Sequence, residues 1–257
     1  MTSLGRKCKI EWVLGWFNPP PEFESWPSGP SLTQPSRFGT IHMMKRTIFS
    51  MIGLVCLALL IVPTARTGWS STEAEKPAAD GREVVEKLQS ALLDAMKDGP
   101  RLGFKGRHDF LDPVIRSSFD LPLIARISVG RYWSDFTEDQ KAAMVGRFSE
   151  LSVATYASRF DKFSGETFEV DSENPLKEGQ VLVKTRLKKS NGETVRLDYV
   201  LLLGEGQWRI INVIADGVSD ISLKRGQYTS IIKRDGFDAL IVKINEKIEG
   251  YANGQSD

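Results

Sequence analysis

The chain has 257 residues, with 34 Lys+Arg against 33 Asp+Glu and a formal net charge of +1. Hydrophobic residues make up 41% and charged residues 26%, an ordinary globular composition that excludes wholesale disorder and a multi-span membrane protein. The charge balance lacks the basic excess of a dedicated nucleic-acid binder, and two Cys (Cys8, Cys56) with two His (His42, His108) cannot build a disulfide scaffold or a Cys- or His-rich metal centre.

The first 42 residues hold half of the 12 prolines and show no period of 2 or 3.6. They are expected to be a disordered extension arising from an over-early start codon, the rival reading being a real cytoplasmic arm. Met43-Met44-Lys45-Arg46 then precedes an uncharged run from Thr47 to Ala65 that includes Ile48, Leu54, Leu57 and Leu60. Two cations ahead of a short apolar core are the layout of a secretory signal peptide, expected over residues 43–66. The run is also close to the minimum for a membrane span, so the alternative is a retained inner-membrane anchor. Residues 1–66 carry seven basic and three acidic side chains, which leaves 27 basic and 30 acidic residues beyond them and no Cys. A Cys-free domain suits an oxidising compartment, where a stray thiol is a hazard. Residues 67–80 read as a flexible lead and 252–257 as a disordered tail.

Asp80-x-x-Glu83 is a capping-box pattern, with Val84, Val85, Leu88, Leu92 and Met96 behind it at helical spacing; Gly99-Pro100 ends that helix. Asp112-Pro113 is expected to open a second helix and Leu121-Pro122 a third. Thr137-x-x-Gln140 caps a fourth, running to about Phe163 with Met144, Phe148, Leu151, Thr155 or Tyr156, and Phe160 on one side. After Gly165 the period changes to 2. Strands are expected at Thr167–Ser172, Gln180–Lys189, Thr194–Leu203 and Gln207–Ala215. Val181, Val183, Thr185 and Leu187 share one face of the second strand; Val195, Leu197, Tyr199, Leu201 and Leu203 share one face of the third; Trp208, Ile210 and Ile214 share one face of the fourth. Asn191-Gly192 signals a hairpin with φ > 0 at both central positions. Two helices, about 221–234 and 236–250, close the chain. Helices, then a meander of about four antiparallel strands, then helices make an α+β domain.

Catalytic motifs are absent from the sequence: no Gly-x-Ser-x-Gly elbow, phosphate loop, dinucleotide fingerprint or His-rich metal motif occurs. No cofactor, metal or catalytic residue is therefore expected. His108 beside Asp109 suggests a dyad on paper, but a half-exposed His near a helix start is the simpler reading. Asp216-Gly217 and Asp235-Gly236 read as turns. Asp198 is expected to pair with Arg186 or Arg209 across the sheet. Lys184, Arg186, Lys188, Lys189 and Arg196 form a basic stripe, either a solvated sheet face or a patch for anionic lipid or an acidic partner.

Four segments in order carry a resemblance. They are Phe119-Asp120-Leu121-Pro122-Leu123-Ile124-Ala125-Arg126 followed by Val129-Gly130 and Trp133; Ala154-Thr155-Tyr156-Ala157-Ser158-Arg159-Phe160 running into Phe163-Ser164-Gly165-Glu166; Trp208-Arg209-Ile210-Ile211-Asn212-Val213 with Asp216-Gly217-Val218-Ser219; and Gly236-Phe237-Asp238-Ala239-Leu240-Ile241. Together they resemble the MlaC-like, or toluene-tolerance auxiliary, family of periplasmic lipid-binding proteins, and the second segment looks closest to its hopanoid-associated HpnM branch. Asn212 stands where the family more often has Asp. The resemblance implies an MlaC-like domain over 81–251, with a strongly bent antiparallel sheet and helices packed around an apolar cavity. It implies a periplasmic carrier that shuttles lipid between inner- and outer-membrane machinery, without catalysis, with a hopanoid or its precursor as the expected cargo and an inner-membrane transporter and an outer-membrane complex as partners; the alternative is a phospholipid carrier of an Mla-type ABC transport system. Strand parity and helix spacing then nominate Phe148, Tyr156, Phe160, Val183, Leu197, Tyr199, Leu201, Trp208 and Ile210 as cavity lining. The competing classes are an enzyme on a related cone-shaped α+β fold and an interaction module with a solid core.

Overall fold

A computed structural model describes residues 80–255. The expected extension, the signal segment and all of the lead but Asp80 lie outside the described residues.

The described elements run α1 (Gly81–Lys97), α2 (Gly99–Ser118), α3 (Leu121–Val129), a 3-10 turn (Gly130–Asp135), α4 (Glu138–Arg159), β1 (Thr167–Pro175), β2 (Gln180–Lys188), β3 (Thr194–Gly204), β4 (Gln207–Ala215), β5 (Val218–Ser219) and α5 (Asp220–Ala252). The strands form one antiparallel sheet in chain order, an α+β architecture as expected, with β5 as a short fifth strand that periodicity does not reveal in two residues.

The helix starts follow from their caps. The Asp80 carboxylate accepts the Glu83 N–H at 2.8 Å, and Thr137 and Gln140 form a complete reciprocal capping box. Asp112-Pro113 is not a start. Pro100, at the first turn, opens α2, and Pro113 lies inside it; the helix breaks instead at Gly103, whose φ of 60° no β-carbon-bearing residue adopts easily. Helix α4 ends at Arg159 rather than Phe163, with Phe160 as its cap. The last two expected helices are one stretch of helical turns broken at Gly236, φ 86°. The Asn191-Gly192 hairpin forms with only Gly192 at positive φ, in a longer loop. The tight two-residue turns with both φ positive are Glu205-Gly206 and Asp216-Gly217.

Helix α1 lies on the inner face of the sheet. Val85, Leu88 and Leu92 are buried with Val183, Leu187, Leu201 and Ile210. One polar seam crosses this layer: the Gln89 amide donates to the Thr185 hydroxyl at 3.0 Å, and that hydroxyl donates to the Leu197 carbonyl. The seam satisfies groups that would otherwise be orphaned in an apolar layer. Burial pushes the Tyr199 phenol up to about 12, partly offset by its hydrogen bond with Gln89. Helix α4 packs against α2, α3 and α5, and small side chains at Ala154 and Ala157 let those neighbours approach. Arg107, itself buried, fastens α2 to the end of α4: its Nε donates to the Ala157 carbonyl at 2.8 Å and its Nη1 to the Gly99 carbonyl at 3.0 Å.

Two bulges redirect the sheet. In β4 the extra residue is Ile211, because Leu201 faces Ile210 while Val200 faces Asn212. An inserted residue reverses inside-outside alternation beyond it. Val213 and Ala215 therefore face inward, and Ile214, expected beside Trp208 and Ile210, pairs with Asp198 on the outer face. In β1 the extra residue is Asp171, turned outward to accept two hydrogen bonds from Arg186 at 3.0 and 2.6 Å. Leu203, expected inside, is exposed at the end of β3.

Candidate lipid-binding crevice

The segment joining α2 to α3 touches the free edge of β4. Phe119 bridges Ile210 in parallel, and the Asp120 N–H donates to the Ile210 carbonyl at 3.0 Å. The Asp120 carboxylate caps α3 by accepting the Leu123 N–H. Four residues further along the same edge, Ile214 pairs with β5. Between these two attachments a gap remains in front of residues 211–213, and a crevice opens there.

Its apolar walls are Phe119, Leu121 and Ile124 from the α2–α3 junction and Phe148, Leu151 and Tyr156 from α4. Phe119 and Tyr156 are tilted rings with centroids 5.6 Å apart, and Phe160 stacks on the other side of Tyr156 at 5.9 Å. Polar groups stand along Ser152, Thr155, Asn212, Asp220 and Lys224. The Ser152 and Thr155 hydroxyls bond back to the Phe148 and Leu151 carbonyls of their own helix. Asp220 and Lys224 form an ion pair one helical turn apart on α5. The Asn212 Oδ1 accepts from the Ser219 hydroxyl and the Ile221 N–H, both at 3.2 Å. It thus ties β4 to the start of α5 through an acceptor oxygen that an Asp would supply equally well. Burial, with Tyr199 and Asp220 nearby, holds the Tyr156 phenol well above its ordinary range. The crevice therefore combines an aromatic floor with ionic and hydroxyl groups, an arrangement that fits an amphiphile and offers no nucleophile–base pair. Its volume is about 40 Å³, narrower than the hollow the resemblance implies; a cavity that admits one benzene ring measures about 150 Å³.

Of the nine nominated lining residues, Phe148 and Tyr156 are in this crevice. Phe160 is one ring behind. Val183, Leu197, Tyr199, Leu201 and Ile210 lie together in the packed inner layer, none more than 6% exposed, and Trp208 is half-buried at the start of β4. The lining residues that were not nominated are Phe119, Leu121, Ile124, Leu151, Ile211, Val213 and the polar set. Phe119, Leu121 and Ile124 stand inside the first of the four family-like segments, which was the available signal.

Other sequence candidates resolve differently. His108 lies in the middle of α2, with Nε2 3.0 Å from Glu150 of α4 and Nδ1 3.7 Å from Asp109. Asp109 takes a hydrogen bond from Lys105, so the group is an interhelical charge cluster. Asp198 pairs with neither Arg186 nor Arg209; its Oδ2 lies 3.5 Å from Arg196, two residues back on the same strand. The basic stripe is largely neutralised, since Arg186 and Lys188 pair with Asp171 and Glu169, and Lys189 with Glu193.

A model of the MlaC protein family matches residues 86–246, more than half of the chain. The chain belongs to the MlaC family. It is 22% identical over 202 residues to the intermembrane phospholipid transport system binding protein MlaC of Haemophilus influenzae, covering 77% of this chain and 91% of that one. It is 21% identical over 177 residues to the toluene tolerance protein ttg2D of Pseudomonas putida, covering 66% and 79%. Among solved structures, a phospholipid-binding protein from Ralstonia solanacearum in complex with a phospholipid shares the fold, with a TM-score of 0.61, 23% identity, and coverage of 68% of this chain and 99% of that one.

Proposed function

We propose that this MlaC-family chain is a periplasmic lipid carrier rather than an enzyme, and that it takes a phospholipid acyl chain into the crevice between α4, the α2–α3 junction and the edge of β4. The observation that carries this is the pairing of the aromatic floor at Phe119, Phe148 and Tyr156 with Lys224, Asp220 and Asn212. Relatives named for phospholipid binding and transport support the cargo class. The physical case is direct. A lipid burying about thirty methylenes loses on the order of 24 kcal/mol on entering water, at roughly 0.8 per methylene, so unassisted escape from a bilayer is very slow. A protein site that replaces the bilayer makes aqueous transfer feasible. Such a site must match the membrane closely enough that cargo moves both ways, so a crevice that closes when empty and widens when loaded suits the task. In this reading α4 and the start of α5 separate, and the Asp220–Lys224 pair opens to leave the ammonium facing a headgroup phosphate. Export uses residues 43–66 as a signal peptide or anchor, and delivery involves an inner-membrane transporter and an outer-membrane complex.

A second cargo, a hopanoid, is favoured by one observation, the Tyr156-Ala157-Ser158-Arg159-Phe160 and Phe163-Ser164-Gly165-Glu166 runs. The same experiment decides both. Protein purified from a membrane-exposed source is extracted with organic solvent and the lipid identified by mass spectrometry. Phospholipid near one per protein is expected. Ser152→Trp, which fills the crevice from the surface of α4, should lower the load at least fivefold while the circular dichroism spectrum is kept. A polycyclic triterpenoid in the extract replaces the first cargo with the second. No lipid above the level of an unrelated exported protein ends the carrier reading.

A further inference from the structure

Helix α5 carries a second feature, turned away from the crevice. Lys224 faces the crevice, and Arg225, about 100° further round the helix, faces a separate groove. This groove, about 380 Å³, lies between α5 and the 3-10 turn. Arg225, Thr229 and Lys233 form its stripe on α5 at four-residue spacing; Arg131 and Tyr132 form the opposite wall. The lining contains three cations and no carboxylate. Among the described residues none of the three cations makes an ion pair, whereas Arg82, Arg116, Arg186, Lys188 and Arg196 all do.

Two of the three cations are also held in place. Gly130 has φ 57°, and the Arg225 Nε and Nη2 lie 3.0 and 3.3 Å from where a β-carbon at Gly130 would stand. The guanidinium is thus laid over a bare stretch of backbone, along the groove floor. The Arg131 guanidinium sits 5.2 Å from the centre of the Tyr132 ring. Two planar, oriented guanidinium groups, with an ammonium and hydroxyls further along the same groove, are suited to phosphodiester oxygens.

We infer that the groove between α5 and the 3-10 turn binds the phosphodiester headgroups of anionic phospholipid in a membrane, and so docks the protein on the bilayer with the crevice alongside. The inference does not depend on the cargo: a chain that carries no lipid would dock in the same way. Each cation near an anionic surface is worth about a fivefold gain in partitioning, so the groove contributes on the order of a hundredfold.

Amide hydrogen exchange of the full chain tests it, on phosphatidylcholine vesicles with and without phosphatidylglycerol. The N-terminal residues are the same in every sample and cancel. Exchange of 130–133 and 225–233 should slow several-fold on the phosphatidylglycerol vesicles only. It should revert at about 1 M salt, where the screening length falls from about 10 Å to about 3 Å. The triple variant Arg131→Ser/Arg225→Ser/Lys233→Ser should lose the effect. Arg131→Ser/Lys233→Ser, which leaves the Arg225–Gly130 packing intact, should lose most of it. Removing three cations elsewhere (Arg101→Ser/Lys162→Ser/Lys184→Ser) should leave it in place. Equal slowing on neutral vesicles, slowing that persists in the groove variants, or no slowing at these residues overturns the inference. Equal slowing by inorganic phosphate or glycerophosphoglycerol without vesicles also overturns it, and marks a small-molecule phosphate site instead.

Discussion

The inner layer under α1 and the crevice beside β4 are both apolar, yet they are closed by different means. Under α1, Val85, Leu88 and Leu92 meet a continuous sheet, and the single polar seam, Gln89 to Thr185, is internally satisfied. Beside β4 the sheet edge has backbone pairings at Ile210 and at Ile214 and Ala215, and the space between is filled by rings and crossed by the Asn212 side chain, with the Asp220–Lys224 pair at its border. A continuous layer has no cheap way to open. An edge with such a gap does, because drawing α4 away from the start of α5 exposes Ser152, Thr155, Asp220 and Lys224, which water solvates well. Stability and capacity should therefore reside in different residues.

The widest separation is expected between Leu88→Ala and Leu151→Ala. Leu88 is wholly buried in the continuous layer, and its truncation should cost about 3–4 kcal/mol by urea unfolding, with the lipid load per folded molecule unchanged. Leu151 borders the crevice, where truncation enlarges an existing space; about 2 kcal/mol and a higher lipid load are expected. Equal lipid gains in both variants would show that the two regions form one cavity. By the same reasoning Leu201→Arg, in the continuous layer, should unfold the protein rather than merely displace lipid.

Next in size is Arg107→Ala, which leaves the Ala157 and Gly99 carbonyls without their donor and removes a buried stem, for about 2–3 kcal/mol. Burial lowers the Arg107 pKa, against the pull of Asp161, but guanidinium stays charged at any working pH, so the loss should be the same at pH 5 and pH 8. Arg107→Lys should recover only part of it, because one ammonium cannot span both carbonyls. Because this clamp sits at the end of α4, loosening it should also speed lipid exchange. Unaltered exchange would place the opening motion at α5 instead.

The same contrast explains what could be read from the sequence. Alternation in β2 and in β3 up to Leu201 is correct because those strands pair without interruption and one face is fully buried. It fails in β4 at the Ile211 bulge: Ile210 and Ile211 are both apolar, so nothing local marks which of them is extra or the flip that sends Ile214 outward. Helix α2 is misread because Gly103 and Gly106 dilute its apolar period and Pro113 imitates a start. In the crevice, Phe148 and Tyr156 follow from helical spacing on α4. Phe119, Leu121, Asn212 and Lys224 come from three distant segments, brought together by the pairing of Phe119 with Ile210, a register that no periodicity encodes. Within the crevice, the residues legible from periodicity are those on one long helix, and the remainder depend on tertiary contact.

The smallest effect concerns the outer face of the sheet, opposite the continuous layer. Asp198 is only 7% exposed, its Oδ1 has no hydrogen-bond partner, and the nearest cation, Arg196, is itself mostly in solvent. Burial raises its pKa, and Arg196 offsets only part of the rise. A carboxyl whose folded pKa lies above its unfolded value binds its proton more tightly in the folded state, so folding is favoured as pH falls and penalised once the group ionises. Asp198→Asn should accordingly stabilise the protein by about 0.5–1 kcal/mol at pH 7, where the wild-type carboxylate is charged. The advantage should shrink as pH falls through the raised folded pKa of the wild type and be gone below the unfolded value near 3.9. Urea unfolding of the two proteins across this range measures the difference directly. A gain that did not fade on acidification would mean that the introduced amide stabilises by a new hydrogen bond rather than by the loss of a poorly solvated charge.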